Sequence, residues 1–175
     1  IESITDLQQK QISTTKNANT VTVIDGKVYL GMKFGIVVVN LEKQEIEDSY
    51  YIGEAASEVD VLQVTTLHDS IFAISEECIY SANRSSNLAD FASWNKLSLT
   101  QGEGKLMNIV SFNERLYLLK GGKVYRKTDG EWEHLFPSVT LNELCANATG
   151  LFAISDIALF PITREEELLY VPIGY

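Results

Sequence analysis

Histidines and carboxylates are the side chains of this 175-residue sequence that could transfer protons or hold a metal. The two histidines, His68 and His134, lie far apart, and neither has a second histidine at metal-ligand spacing. Paired carboxylates could serve glycoside hydrolysis if they were held at the right separation. The acidic clusters are Glu76-Glu77, Glu131 with Glu133, and Glu165-Glu166-Glu167. Because acidic residues in the turns of an acidic chain usually interact only with solvent, we expect no catalytic residue, no metal site and no cofactor.

Nucleophile and phosphate-binding motifs are also missing from the sequence. No Gly-x-Ser-x-Gly elbow occurs, and no glycine-rich stretch lies between a strand and a helix, as a phosphate cradle requires. Cys78 and Cys145 form no Cys-x-x-Cys pair. We expect them to be free, buried thiols on strands of different repeats, too far apart for a disulfide. These features favour a binding protein over an enzyme.

The composition excludes several classes of partner. Lys and Arg number 14 against 24 Asp and Glu, so the formal net charge is −10. Such an acidic chain is poorly suited to binding nucleic acid or anionic lipid. No apolar stretch reaches the ~18 residues of a membrane-spanning helix. The hydrophobic fraction of 45% is that of an ordinary globular protein.

An internal repeat is the most informative feature of the sequence. Four aromatic residues, Tyr29, Phe72, Tyr117 and Phe152, are separated by 43, 45 and 35 positions. Around each of them, the positions at −8, −1, +1, +7 and +8 are apolar in all four units. Units of about 40 residues with four short strands each are typical of β-propeller blades. The sequence therefore predicts an all-β fold, a β-propeller with about four four-stranded blades.

Polar turns separate the predicted strands within each unit. Asp25-Gly26 illustrates the first turn and Gly121-Gly122 the second, and both pairs have the residue types of tight hairpins. Trp94 and Trp132 recur at one position of the repeat, which favours packing between blades over ligand contact. One helical turn is predicted within residues 87–94. The blades are expected at residues 17–54, 58–100, 105–140 and 141–175.

The number of blades suggests part of a larger propeller. Residues 1–12 resemble the outer strand of a preceding blade, so we treat residues 1–175 as a single partial propeller domain of a longer protein. Apolar blade faces that are open to water would favour self-association.

The turns between the second and third strands are the predicted binding surface. Loops from several blades converge at one rim of a propeller, and binding residues are often found on such loops. This placement is a geometric expectation, and it assumes that the turn side chains are exposed. The predicted binding residues are Lys33, Phe34, Glu76, Glu77 and Lys120.

Several segments resemble a known family. Residues 28–41 (VYLGMKFGIVVVNL) and 43–54 (KQEIEDSYYIGE), followed by 79–82 and 87–94, are similar to the N-terminal propellers of the PorZ family, which belongs to the type IX secretion system. The resemblance covers roughly residues 1 to 95. The second unit departs from it with Glu76-Glu77-Cys78, where a glycine is expected. The hydrophobic repeat alone also resembles the propellers of two-component regulators.

The resemblance to PorZ implies an exported protein at the outer membrane surface or in the periplasm of a Gram-negative bacterium. It implies a non-enzymatic propeller that binds protein partners of an envelope complex and also glycan or lipopolysaccharide. The alternative is the periplasmic ligand-sensing propeller of a hybrid two-component regulator. A propeller enzyme that acts on polysaccharide is a third hypothesis, which would require converging acids or a metal site.

Overall fold

The computed structural model describes residues 17–97, 99 and 101–173. They form an all-β fold of sixteen strands in four antiparallel sheets, each with its strands in sequence order. The predicted fold class, with four four-stranded blades, is thereby confirmed. The strand expected within residues 1–12 lies outside the described residues. The chain divides into two compact units, residues 1–97 and 98–175, with two blades in each.

The first unit contains blades 1 and 2. Blade 1 consists of β1 (Ala18–Ile24), β2 (Lys27–Met32), β3 (Gly35–Asn40) and β4 (Glu45–Tyr50). Blade 2 consists of β5 (Gln63–Leu67), β6 (Ser70–Ile74), β7 (Ile79–Asn83) and β8 (Asn95–Leu97). Each strand pairs with its sequence neighbour, and where hairpin turns of few residues join the strands only antiparallel pairing is possible. The longer segment between β7 and β8 contains the 3₁₀ turn Phe91–Ser93.

The strand β3 shows why the sequence pattern folds in this way. Its side chains alternate between the two faces of blade 1. Ile36 and Val38 pack in the cluster that joins blades 1 and 2. Val37 and Val39 pack on the opposite face with Met32. Since both faces are covered, the strand is a continuous apolar run of β-branched residues.

The second unit contains blades 3 and 4. Blade 3 consists of β9 (Leu106–Phe112), β10 (Arg115–Lys120), β11 (Lys123–Thr128) and β12 (Glu131–Leu135). Blade 4 consists of β13 (Glu143–Ala146), β14 (Leu151–Ile154), β15 (Ala158–Ile162) and β16 (Val171–Pro172). One apolar cluster includes Leu119 of β10, Leu144 of β13 and Phe160 of β15, so the two blades share a core.

The connections use the turn residues that the sequence indicated. Asp25 and Gly26 both have positive φ, +50° and +77°, as a two-residue hairpin turn with the right-handed twist of its strands requires. Gly35, at φ +146°, accepts no other residue, since an added Cβ would lie 2.1 Å from the carbonyl oxygen of Tyr50.

Helical structure is limited to two short 3₁₀ turns among the residues described, Glu54–Ala56 and Phe91–Ser93. The second lies within the predicted helical turn, and the Asp90 side chain caps it by accepting a hydrogen bond from the Ala92 amide at 2.9 Å. In these parts of the chain no helix has the length and hydropathy needed to cross a bilayer.

Candidate functional site

The predicted turn residues differ in their accessibility. Lys33, Glu76 and Glu77 are exposed. Lys120 is half-buried, and its ammonium donates hydrogen bonds to the carbonyl oxygens of Leu99, at 3.1 Å, and Gln101. The Lys120 ammonium thus binds the segment before β9, which belongs to the same unit, and is not free to bind a partner.

The expectation that Phe34 is an exposed binding residue is wrong. Its side chain is 0% exposed and packs in the outer cluster of blade 1 with Met32 and Val37. The ring of Tyr51, which follows β4, lies against it with 5.8 Å between centroids. The turn is only two residues long, so its second side chain continues the buried face of the sheet.

The histidines and cysteines are on the surface or only partly buried. His68 is exposed in a turn, and His134 is exposed on β12, where its ring stacks on Tyr125 at 5.1 Å. No three His, Cys, Asp or Glu side chains in the described part of the chain could hold a metal ion together. Both cysteines are free thiols. The expected burial is wrong for Cys145, whose position on the first strand of blade 4 is exposed.

One residue of the Glu165-Glu166-Glu167 cluster is not solvated, whereas its two neighbours are exposed. Glu166 is only 12% exposed at its side chain, contrary to the expectation for turn carboxylates. Its carboxylate accepts hydrogen bonds from Arg115, at 2.8 Å, and from the Tyr117 hydroxyl, at 2.9 Å, and it also pairs with Arg126. Arg126 bridges in turn to Glu133. We call these five residues the Glu166 cluster.

The Glu166 cluster shifts the ionisation of its members. Burial by itself would raise the pKa of Glu166, but the hydrogen bonds from Arg126, Tyr117 and Arg115 outweigh it, so the net pKa is lowered. Burial, reinforced by the bond to Glu166, raises the pKa of Tyr117 to about 12. A carboxylate that is neutralised in this way is a structural element and a poor general base.

A surface cleft of about 260 Å³ lies in the first unit. It lies where the loop after β4 meets the segment that leads into β8. We call it the aromatic cleft. Its principal lining residues are Ile52, Glu54, Tyr80, Phe91, Trp94 and Lys96. None of these residues was predicted from the sequence to bind a ligand.

Strand register and one buried hydrogen bond position the floor of the aromatic cleft. Tyr80 on β7 pairs with Lys96 on β8, and the Lys96 ammonium lies 5.9 Å from the centre of the Tyr80 ring. The Trp94 indole N–H donates to the carbonyl oxygen of Leu88 at 2.9 Å, which fixes the ring. Trp94 is buried, as the packing hypothesis predicted, and its ring also contributes to the cleft wall.

The loop at the mouth of the cleft is tightly constrained. The amide of Gly53 donates to the carbonyl oxygen of Ser57, and a Cβ on Gly53 would lie 2.3 Å from the Ser57 hydroxyl oxygen. Ala55 and Ala56 follow with φ of +53° and +59°, values that are strained for alanine. Both alanines are exposed, and the hydrogen bonds from the Gly53 amide to Ser57 and from the Ser57 amide to Glu54 hold the backbone in this conformation. Glu54, which directly precedes the two alanines, lines the cleft.

The comparisons with known proteins agree with the fold. The family described as "TSS9, PorZ, N-terminal beta-propeller domain" matches residues 1–95, just over half of the chain. No curated protein matches the sequence. The family match includes the whole of the aromatic cleft except Lys96.

Solved structures show the same propeller fold. PorZ of Porphyromonas gingivalis, a bacterial surface component of its type IX secretion system, aligns with a TM-score of 0.76 at 24% identity, over 90% of this chain and 21% of PorZ. The extracellular domain of BT4673 from B. thetaiotaomicron, assigned to a hybrid two-component system, aligns with a TM-score of 0.66 at 15% identity, over 90% of this chain and 22% of its own. An auxiliary nutrient binding protein from Bacteroides thetaiotaomicron aligns with a TM-score of 0.64 at 16% identity, over 86% of this chain and 40% of its own.

The chain spans about a fifth of the length of the PorZ and BT4673 structures, and each of these similarities is below 25% identity. The structural similarities therefore establish the fold, whereas the match to the family over residues 1–95 establishes family membership. The chain belongs to the PorZ N-terminal β-propeller family of the type IX secretion system.

Proposed function

We propose that this chain is a non-enzymatic binding module of an exported protein, acting in a type IX secretion complex at the outer surface of a Gram-negative cell. The family match over residues 1–95 is the observation that carries this proposal. The aromatic cleft supports it, because a concave apolar site with a few charged groups at its edge is suited to binding. Its partners are proteins of the envelope complex, with glycan or lipopolysaccharide as a further ligand.

The carboxylates offer little support for the enzyme hypothesis. Glu166 is committed to two arginines and a tyrosine. Glu76 and Glu77 are exposed in a turn that the Ser75 hydroxyl organises by accepting the amides of Glu77 and Cys78. Hydrolysis of a glycosidic bond needs two carboxyl groups facing one substrate, with the pKa of one of them raised. The hydrogen bonds that Glu166 accepts lower its pKa, which is the opposite of what a general acid needs.

The second candidate is a sensor propeller of a two-component regulator, which the structural similarity to BT4673 favours. The gene distinguishes the two hypotheses directly. A second propeller and a C-terminal sorting domain would support the secretion component. A membrane-spanning helix followed by kinase motifs would support the sensor.

A genetic experiment tests the proposed function. The gene is deleted in the bacterium that encodes it, and the amount of secreted cargo attached to the cell surface is compared with that in the parent. We expect loss of surface cargo and its accumulation inside the envelope, with recovery on complementation by the full-length gene. Normal cargo attachment together with a lost transcriptional response to an added glycan would overturn the proposal in favour of the sensor.

A further inference from the structure

We propose that the aromatic cleft binds a basic polypeptide segment by enclosing one of its aromatic or large aliphatic side chains. This inference rests on the proposed binding function and specifies the chemistry of the partner. It follows from the size of the cleft, the polarity of its lining and the charge of the unit that carries it.

The size of the cleft matches one side chain. A closed apolar cavity of about 150 Å³ holds a benzene ring. The aromatic cleft, at about 260 Å³, therefore has room for one ring and the adjoining backbone. Phe91 is 39% exposed at its wall, although it belongs to a 3₁₀ turn beside a buried tryptophan. Enclosing a partner's ring between Phe91 and Trp94 would remove this apolar surface from water.

The polarity of the lining favours a side chain over a sugar. A sugar ring carries several hydroxyl groups, each of which needs a hydrogen-bond partner when it is buried. The Trp94 N–H is already committed to Leu88. Glu54 and Lys96 are the charged side chains that line the cleft. Two charged groups at the edge of an apolar floor suit a peptide, whose polar backbone remains at the rim.

The charge of the first unit favours a basic partner. Residues 17–97 contain twelve Asp or Glu and five Lys or Arg, a net charge of −7, which is most of the −10 of the whole chain. Two of the carboxylates, Glu54 and Asp90, are exposed on the two loops that bound the cleft, and they outnumber the one cation of its lining, Lys96. An acidic surface around an apolar site attracts a cationic segment and repels an acidic one.

The strain in the loop is an independent indication of function. Ala55 and Ala56 have left-handed backbone angles, and their side chains are exposed. Backbone strain that the surrounding structure holds in place is often found at binding sites. Here it presents Glu54 at the cleft, where a lysine or arginine beside the enclosed ring would pair with it.

The test is a titration of the 175-residue chain with the peptide Ac-Lys-Lys-Phe-Lys-Lys-NH₂, followed by NMR of the Trp94 indole N–H. The variant Trp132→Phe identifies which of the two tryptophan signals belongs to Trp94. We expect saturable shifts of the Trp94 signal, with a dissociation constant of about 1 mM or lower, since one side chain is enclosed. Peptides with alanine in place of phenylalanine, or glutamate in place of lysine, should bind at least about fivefold more weakly.

Two pairs of variants locate the site. Phe91→Ala should weaken binding about fivefold, whereas Leu41→Ala, at an exposed position that does not line the cleft, should leave it unchanged. Glu54→Lys should weaken binding about tenfold. Glu42→Lys changes the net charge equally but does not line the cleft, so its effect should be much smaller.

Three results would overturn this inference. The first is equal binding of the alanine-centred peptide, and the second is equal weakening by Glu54→Lys and Glu42→Lys, which would indicate general electrostatic attraction. The third is a shift of the Trp94 signal by methyl glycosides but not by the peptide, which would make the cleft a glycan site. Each of these would leave the proposed secretion role standing, because that role is tested by cargo attachment.

Discussion

The hydroxyl of Tyr117 donates a hydrogen bond of 2.9 Å to the carboxylate of Glu166, although the two residues are 49 positions apart in the sequence. Tyr117 lies on β10 of blade 3, and Glu166 lies in the turn between β15 and β16 of blade 4. The same carboxylate binds Arg115 and Arg126. The Glu166 side chain therefore attaches the turn between β15 and β16 of blade 4 to blade 3, in addition to the core that the two blades share.

Removing the charge of Glu166 should destabilise the second unit. Glu166→Gln leaves Arg126, which is 17% exposed, without its most buried partner, and the Nε of Arg126 already lacks a hydrogen bond. We expect a loss of about 2 kcal/mol in the free energy of unfolding, measured by urea denaturation. Glu165→Gln is the control, since Glu165 is exposed, and it should change stability by less than about 0.5 kcal/mol. Equal effects of the two variants would contradict a structural role for the cluster.

The contribution of Glu166 should also depend on pH. Its pKa in the folded chain is lowered from the ordinary value of 4.5, so the unfolded chain takes up a proton at a higher pH than the folded one. The stabilisation is therefore present above the ordinary pKa and is lost as the pH falls through the lowered one. The difference in stability between the wild type and Glu166→Gln should be constant from pH 7 to about pH 5.5 and should shrink towards pH 3. Urea midpoints of both proteins across this range measure it, and a constant difference down to pH 3 would contradict the assignment.

The Glu166 cluster is a feature of the structure that could not be predicted from the sequence. The strands and turns were predictable, because alternating apolar residues and pairs such as Asp25-Gly26 are local signals. Glu166 bonds to residues 40 to 51 positions away on another blade, and nothing in the local sequence distinguishes it from its two acidic neighbours. The partners of Glu166 can be identified only from the folded structure, where the register of β10 and β11 brings Arg115, Tyr117 and Arg126 onto one surface.

The aromatic cleft was missed for a related reason. Trp94 was correctly predicted to pack in the core. A residue assigned to packing was not considered for binding, although the ring of Trp94 also forms part of the cleft wall. Phe91 is in the one segment where a helical turn was predicted, but its exposure depends on the loop that carries Glu54, which precedes it by 37 positions. A sequence pattern indicates which residues are apolar, whereas the cleft depends on which apolar surfaces remain uncovered.

Relieving the strain beside the cleft should stabilise the protein and weaken binding. Glycine adopts positive φ without steric strain, so Ala55→Gly or Ala56→Gly should raise the free energy of unfolding by about 0.5 to 1 kcal/mol. The greater freedom of the loop should at the same time weaken binding of the Lys-Lys-Phe-Lys-Lys peptide about two- to threefold.

The matched control for this prediction is Ala18→Gly, at an exposed strand position without positive φ. It should lower stability by about 0.5 kcal/mol, because glycine weakens a strand. Thermal unfolding of the three variants measures the sign of each effect. A loss of stability in both Ala55→Gly and Ala56→Gly would show that the left-handed conformation carries no strain.

Phe34 and Lys33 are neighbours in the turn between β2 and β3, yet their substitution should have very different effects. Phe34 is fully buried against Met32, Val37 and the ring of Tyr51, and Phe34→Ala would leave a cavity in the outer cluster of blade 1. We expect a loss of about 3 kcal/mol or more in the free energy of unfolding. Lys33→Ala, at an exposed position, should change it by less than about 0.5 kcal/mol. Urea denaturation distinguishes the two, and a near-neutral Phe34→Ala would restore this residue as an exposed binding candidate.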